Sequence, residues 1–412
     1  MKLEDIGFYT LNDYRARNTN ENSQLMRCEL ILTDACNFKC PYCRGVRDDI
    51  KGTLSLEKAK HIIDLWAKDN LKNIRFSGGE PTVYKDIVEL VEYTKYKGVE
   101  RIAISTNGSA DINLYYDLIE AGVNDFSISL DACCSAFGDM MAGGIEGAWN
   151  KVISNIKDIS KLSYVTVGVV VTEETVSELK NTIEFASSLG VSDIRIISSA
   201  QYNTLLENAK DISEKVYIKY PILKYRIKNL KNQRNVRGLQ TQDSHKCGLV
   251  LDDMAIAGNY HFPCIIYMRE GGNPIGKVGE NMRKERKEWM KKHDTHKDII
   301  CQKNCLDVCI DYNNKYNKFH IEKSSLPKID SVNFDWLGWS AGSIHDFNIP
   351  CRYESLISPE SKRILNDYAI GWTYGENLPC RPKQNHVAVM FEKDDRRFWF
   401  HIRNNEFLEI FN

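Results

Sequence analysis

Cys28-Glu-Leu-Ile-Leu-Thr-Asp-Ala-Cys36-Asn-Phe-Lys-Cys40-Pro-Tyr-Cys43-Arg-Gly45 is the stretch on which the reading of this chain turns. Cys28–Leu32 reads as a strand, and three cysteines follow it at i, i+4 and i+7. That spacing also fits one face of a helix. Pro41 argues against a helix, because it removes an amide donor and clashes with the preceding turn. The segment therefore reads as a loop at a strand's end, wrapping three thiols around one metal centre. Tetrahedral zinc normally takes four ligands, and no fourth lies nearby. Iron–sulfur clusters usually take four thiolates as well. Three thiolates leave one iron with an open site, which is what binding a reactive small molecule requires.

From residue 27 to about 200, short β-branched runs alternate with helical patterns. Cys28–Leu32, Asn73–Ser77, Arg101–Ser105, Asp125–Ser129, Val165–Val171 and Asp193–Ile197 read as strands. Leu56–Lys68, Asp86–Lys97, Asn113–Ala121, Gly144–Ile159 and Thr175–Leu189 read as helices, with Gly190 a C-cap and a sixth helix around Tyr202–Lys215. Such alternation implies parallel strands with helices outside. A doubly wound sheet and a whole or partial barrel both fit, and in a barrel the chemistry sits at the strands' C-terminal ends.

The 412 residues suit two or three domains, and 42% hydrophobic content allows a sizeable core. The formal charge of −1 exerts no long-range pull on nucleic acid or anionic membrane. No apolar run reaches the roughly 18 residues of a membrane span. Met1–Arg17 lacks the apolar segment of a signal peptide, so a cytoplasmic location is expected. In that reducing compartment the thirteen cysteines are not expected to pair as structural disulfides. They cluster as Cys36/Cys40/Cys43 and Cys301/Cys305/Cys309, with Cys247, Cys264, Cys351 and Cys380 scattered between and after. Cys28, Cys133 and Cys134 read as small buried hydrophobes.

Cys-x3-Cys-x2-Cys with an aromatic residue, Tyr42, before the last cysteine resembles the signature of the radical S-adenosylmethionine (radical SAM) superfamily. The resemblance implies that the open iron of a [4Fe–4S] cluster chelates S-adenosylmethionine, and that one electron then releases a 5′-deoxyadenosyl radical that abstracts hydrogen from substrate. Gly78-Gly79-Glu80-Pro81 follows the second strand. It resembles the family's GGE motif for the methionine amino group; an ordinary turn with Pro81 opening a helix is the plain reading. Ser105 and Asn107 at the third strand, and Ser129 and Asp131 at the fourth, resemble family segments that touch cofactor or substrate. As residues alone they also suit turns and caps. Gly168 is implied to admit the adenine, a bulge being the plain reading, and Arg195 reads either as reaching a carboxylate or as a salt-bridged barrel arginine. No catalytic residue is assigned. The resemblance covers about residues 27–200 and implies a partial (β/α)6 TIM-like barrel within an α/β chain.

Cys247, Gly258, Cys264, Gly276 and Cys301-Gln-Lys-Asn-Cys305-Leu-Asp-Val-Cys309 look like the SPASM or twitch auxiliary-cluster extension. In it a hairpin presents the first two cysteines, and later elements return the rest. The implied ligands of a second [4Fe–4S] cluster are Cys247, Cys264, Cys301 and Cys305, with Cys309 as alternate because the spacing departs from the usual Cys-x2-Cys. Four thiolates suit zinc equally by number. The domains expected are an N-terminal extension 1–26, the barrel 27–215, a bridge with the auxiliary-cluster region 216–319, and a small α+β domain 320–412. The last domain holds a Trp/Gly-rich stretch 335–342, a helix Ser358–Tyr368, and a hairpin of His386–Phe391 and Phe398–Ile402 around a charged turn. The expected function is hydrogen abstraction leading to net oxidation or crosslinking of a peptide or small molecule, with an electron donor such as flavodoxin or ferredoxin. The alternatives are radical modification of a nucleotide or nucleobase, and a zinc-stabilised non-catalytic binding module. Membrane partners are not expected, and nucleic acid stays a lesser option.

Overall fold

The order of the strands selects between the two architectures. A computed structural model describes residues 13–199 and 203–322 and, beyond them, strands within 371–374, 387–393, 396–403 and 406–411. The chain divides into two compact units, Met1–Phe319 and His320–Asn412. In the first, β1 (Arg27–Thr33), β2 (Asn73–Gly78), β3 (Arg101–Thr106), β4 (Asp125–Ser129), β5 (Tyr164–Val171) and β6 (Asp193–Ser198) lie in sequential order. All five neighbouring pairs are parallel. Each βα unit thus adds its strand on the same side as the last. A doubly wound sheet would reverse direction partway; this one does not, and it forms an open, partial barrel.

Side-chain alternation explains why the helices pack outside. Leu30, Ile74, Phe76, Ile104, Phe126, Ile128, Val167 and Ile196 point to one face and are fully or almost fully buried. They share one core with Ile62, Ile63, Trp66, Leu90, Leu118, Ile156 and Ile183 of the helices. The residues between them, among them Glu29, Arg75, Ser105, Asp125, Ser127 and Arg195, point to the opposite, concave face. The sheet continues past the barrel. β7 (Asp253–Ala257) pairs parallel with β1, Cys28 opposite Met254. β8 (Tyr260–Phe262) and β9 (Gly276–Lys277) then follow antiparallel. The second cysteine region is therefore joined to the barrel by main-chain hydrogen bonds, in one nine-stranded sheet.

The helical expectations differ in two places. Gly143, Gly144 and Gly147 adopt φ of +93°, +82° and +77°, which interrupts a helix. Helix Ala148–Ile159 starts after them, and a separate helix Ser135–Met141 precedes them. Around 203–217 the chain forms a 3-10 turn, Asn203–Asp211, and a short helix, Glu214–Tyr217. The helix Pro221–Lys231 follows, and its start is fixed by Asp193. The Ile222 amide donates to Asp193 at 3.0 Å. Burial outweighs these bonds and lifts the Asp193 carboxyl to about 6. Cys28 is buried as expected, whereas Cys133 is half-buried and Cys134 exposed, because they lie on the turn leading out of β4 rather than in a strand.

In the second unit, β10 (Gly371–Tyr374), β11 (Val387–Lys393), β12 (Arg396–Arg403) and β13 (Glu406–Phe411) form an antiparallel sheet in sequential order. The expected hairpin is β11–β12. Its ladder runs on through Glu392 opposite Arg397 and Lys393 opposite Arg396, so the charged stretch read as the turn is mostly strand. Cys351, Cys380, the 335–342 stretch and Ser358–Tyr368 lie outside the described residues.

Arg226 and Asp307 form an ion pair at 2.7 Å with both side chains almost fully buried, tying helix Pro221–Lys231 to helix Asp307–Asn317. Removing one partner of such a pair strands a buried charge, at a cost of about 3–5 kcal/mol. Asp307→Ala is expected to lower unfolding stability by about that amount, read from the midpoint of urea denaturation.

Candidate active site

The cysteine loop is held by backbone pressed on backbone. It leaves β1 at Thr33 and runs without helix to Gly45, as the proline predicted. The Gly79 amide donates to Thr33 O at 2.7 Å and the Glu80 amide to Ala35 O at 2.8 Å. A Cβ on Gly78 would lie 2.3 Å from Thr33 O, and one on Gly79 2.3 Å from Ala35 O. The close approach these glycines permit is thus to the cysteine loop itself. A turn, Cys43 N to Cys40 O at 3.0 Å, brings the last two cysteines round. The amides of Phe38 and Gly45 donate to Cys36 and Cys43 Sγ at 3.4 and 3.3 Å. Burial, and then the charges of Asp131, Cys43 and Cys36, push the Cys40 thiol to about 12. Burial raises the Cys36 thiol as well, and thiols raised in this way need a cationic centre to hold them as thiolates.

Glu80 is 1% exposed. It accepts from Thr82 Oγ1 and Thr106 Oγ1, both at 2.7 Å, and from the Asn107 amide at 2.7 Å. Its carboxylate thus joins the end of β2 to the end of β3, and burial raises its pKa despite those bonds. Asn107 reaches back to the loop, donating to Asn37 Oδ1 at 2.8 Å. Tyr42 donates to Asp131 Oδ2, and Asp131 Oδ1 accepts from the Val170 amide at 2.8 Å. Tyr42, Asn107, Ser129 and Asp131 line one cavity with Cys40, Phe38 and Met141, of about 60 Å³. Ser105, Gly168 and Arg195 lie below this mouth, on the concave face. The Arg195 guanidinium crosses Gly168, whose added Cβ would sit 3.4 Å from Nη2, so arginine fills the space opposite that glycine.

The second cysteine group also converges. Cys247 precedes the β7–β8 hairpin, and Cys264 caps helix Ile265–Arg269, its Sγ accepting from the Tyr267 amide at 3.4 Å. Cys301 lies in helix Ile299–Asn304, Cys305 ends that helix, and Cys309 lies in Asp307–Asn317. All five line one cavity of about 40 Å³, among Leu239, Leu249, Ile266, Trp289 and Ile310. Burial lifts every one of these thiols, Cys264 to about 12. Asn313 Nδ2 donates to Cys247 Sγ at 3.6 Å, and His293 Nε2 lies 3.7 Å from Cys301 Sγ.

Sulfur spacing bears on the metal. Among the described residues, the group of three ligand atoms within 4.8 Å of one another is His293, Asp298 and Cys301. Neither set of thiols meets that limit. A Zn–S bond of about 2.3 Å places tetrahedral thiolates roughly 3.8 Å apart. A polynuclear cluster takes each thiolate on a different iron, and among the described residues His293, Asp298 and Cys301 are the ligand atoms close enough to share a single ion.

Thr106, Asn37 and Arg269 are parts of the site that sequence reasoning missed. Arg269 donates to Gly45 O at 3.2 Å and to Gly78 O at 3.3 Å, fastening the cysteine loop to the glycine turn from the second cysteine region. Nothing local marks Arg269; its partners lie about 190 or more residues away in sequence.

Residues 30–186 match the Radical SAM superfamily, and the chain carries a radical SAM domain; the cofactors of that family are a [4Fe–4S] cluster and S-adenosylmethionine. The chain is 28% identical over 169 residues to a probable GTP 3′,8-cyclase of Sulfurisphaera tokodaii, covering 40% of this chain and 53% of that one. It is 30% identical over 166 residues to the AdoMet-dependent heme synthase of Methanosarcina barkeri, covering 39% and 46%. The match thus spans about half the length of these relatives. The fold is similar to that of histidine-tagged anSMEcpe with bound AdoMet, with TM-score 0.50 and 14% identity, covering 73% of this chain and 97% of that one.

Gly79→Ala is expected to displace the cysteine loop, because its Cβ has no room beside Ala35 O. Anaerobically reconstituted variant should hold about four irons fewer per chain than wild type, counted by colorimetric iron assay.

Proposed function

We propose that this chain reductively cleaves S-adenosylmethionine and abstracts a hydrogen from a small-molecule or peptide substrate at the barrel mouth, with a second [4Fe–4S] cluster taking the substrate's electron in a net oxidation or crosslink. The observation that carries this reading is the pairing of an open three-thiol loop with an enclosed cavity of five thiols in the same unit. When bound, the first cluster and S-adenosylmethionine supply the radical chemistry.

In this reading Cys36, Cys40 and Cys43 hold the first cluster. Gly78, Gly79 and Glu80 fix the loop against β2, so that the backbone rather than the occupied carboxylate faces the cofactor. Tyr42, Asn107, Ser129 and Asp131 shape the cavity beside Cys40. Cys247, Cys264, Cys301 and Cys305 hold the second cluster, with Cys309 in the same cavity as alternate. The apolar lining there keeps water from it. A one-electron carrier of the flavodoxin or ferredoxin class supplies the electron. A second reading, radical modification of a nucleotide, is favoured by the relatives named as GTP 3′,8-cyclases. A zinc-stabilised binding module remains the non-catalytic alternative, and the His293, Asp298 and Cys301 ligand atoms within 4.8 Å of one another would suit it. No helix among the described residues is long and apolar enough to cross a membrane.

Anaerobic reconstitution is expected to give brown protein with about eight irons per chain. Dithionite with S-adenosylmethionine should release 5′-deoxyadenosine, measured by liquid chromatography, and Cys40→Ala should release none. Cys264→Ala should keep that release while losing about four irons. Colourless wild-type protein binding zinc alone would remove the reading.

A further inference from the structure

The concave face below the mouth carries a band of cationic and hydroxyl groups that neither cysteine site uses. Arg75 on β2 donates from Nη1 to Ser105 Oγ on β3 at 3.3 Å. Arg195 on β6 donates from Nη2 to Ser127 Oγ on β4 at 3.1 Å. Ser105 and Ser127 are register partners on neighbouring strands. The order Arg75–Ser105–Ser127–Arg195 therefore spans the barrel floor from one flank to the other. Each serine accepts from an arginine, which leaves its own proton to donate. The Nε groups of Arg75 and Arg195 are buried without a partner.

Charge on this floor is not balanced. Asp125 lies 3.7 Å from Arg75 and 3.5 Å from Arg101, one carboxylate between two guanidinium groups. No carboxylate lies within 4 Å of Arg195 among the described residues; Glu29 acts on it from further off. Burial lowers its pKa to about 10, and repulsion from Arg75 and Arg226 adds to this. Yet the Arg75 and Arg195 side chains keep partial solvent exposure. Arg75 and Arg195 thus lie deep on the concave face without being fully packed. A fixed, under-neutralised pair of guanidinium forks with two hydroxyl donors is complementary to a carboxylate or a phosphate.

We propose that Arg75, Ser105, Ser127 and Arg195 form a subsite for an anionic group, carboxylate or phosphate, of the substrate processed at the mouth. This rests on the proposed function and names the substrate's charge. The anion is held by the solvent-reached part of the two guanidinium groups and by the serine hydroxyls, and it orients the substrate with its reacting carbon upward, toward the cluster loop. Gly168 is part of the device, because it leaves open the space that the Arg195 guanidinium crosses toward Ser127; an added Cβ there would already touch Nη2 at 3.4 Å.

The test is isothermal titration of reconstituted wild-type protein, saturated with S-adenosylmethionine, using pyrophosphate and malonate as probes for the two anion classes. At least one is expected to bind saturably at one site per chain. Arg195→Met and Arg75→Met should each weaken it tenfold or more, Arg195→Lys less, and Ser127→Ala, which leaves the charges in place, severalfold. Near-ultraviolet circular dichroism identifies any variant that fails to fold, and Ser127→Ala then decides. The proposal is overturned if neither probe binds, or if binding is unchanged in Ser127→Ala and Arg195→Met. It also fails if the probes compete with S-adenosylmethionine, which would assign the floor to the cofactor's own carboxylate. Release of 5′-deoxyadenosine by wild type without any probe reports separately on the radical reading, so the two can fail independently.

Discussion

The site depends on one close contact, the backbone of the β2 turn against the backbone of the cysteine loop. Thr33 and Ala35 carbonyls accept from Gly79 and Glu80 amides, and the glycines leave no room for a Cβ at either approach. A loop of three thiols that must meet a cluster has no regular secondary structure of its own to satisfy its peptide groups. Here a neighbouring strand end does so. From that contact the rim extends around the mouth. Glu80 grips Thr106 and Asn107, Asn107 grips Asn37, and Tyr42 grips Asp131. The ends of β2, β3 and β4 are thereby linked to the loop, so the polar groups there are preorganised by the fold.

β1 serves both centres. Its C-terminal end gives rise to the first cysteine loop, and its free edge receives β7, which leads into the hairpin between Cys247 and Cys264. Arg269, just beyond Cys264, then reaches back to Gly45 and Gly78. The two cysteine sites are thus parts of one sheet and one hydrogen-bonded frame. Displacement of either would be transmitted through β1 and Arg269 rather than through a flexible linker. The convex face of the same sheet is apolar and covered by helices, while the concave face is polar and partly wetted. This division places chemistry inside the curve.

The fold was legible in the sequence wherever a local pattern repeats. All six barrel strands follow from β-branched runs, and the helices between them from apolar spacing. The errors fall where local signals conflict. Gly144 and Gly147, with positive φ, delay to Ala148 the helix read from Gly144 to Ile159. Glu392–Arg397 looks like a turn by charge, yet cross-strand pairing of Glu392 with Arg397 draws it into the ladder. Cys134 looks like a small hydrophobe by type, but it stands exposed beyond a strand's end.

The sequence by itself determined the three-thiol loop, the glycine turn and the βα alternation, because each is written in neighbouring residues whose spacing carries its physical meaning. Only the tertiary structure decided that the sheet opens as a barrel rather than winding both ways, since strand order is a relation between distant segments. It also decided that Cys309 shares a cavity with the other four cysteines, that Glu80 is engaged by β3, and that Arg75 and Arg195 approach one floor from opposite flanks. Those facts arise from packing and long-range hydrogen bonding, which act between residues that no sequence period connects.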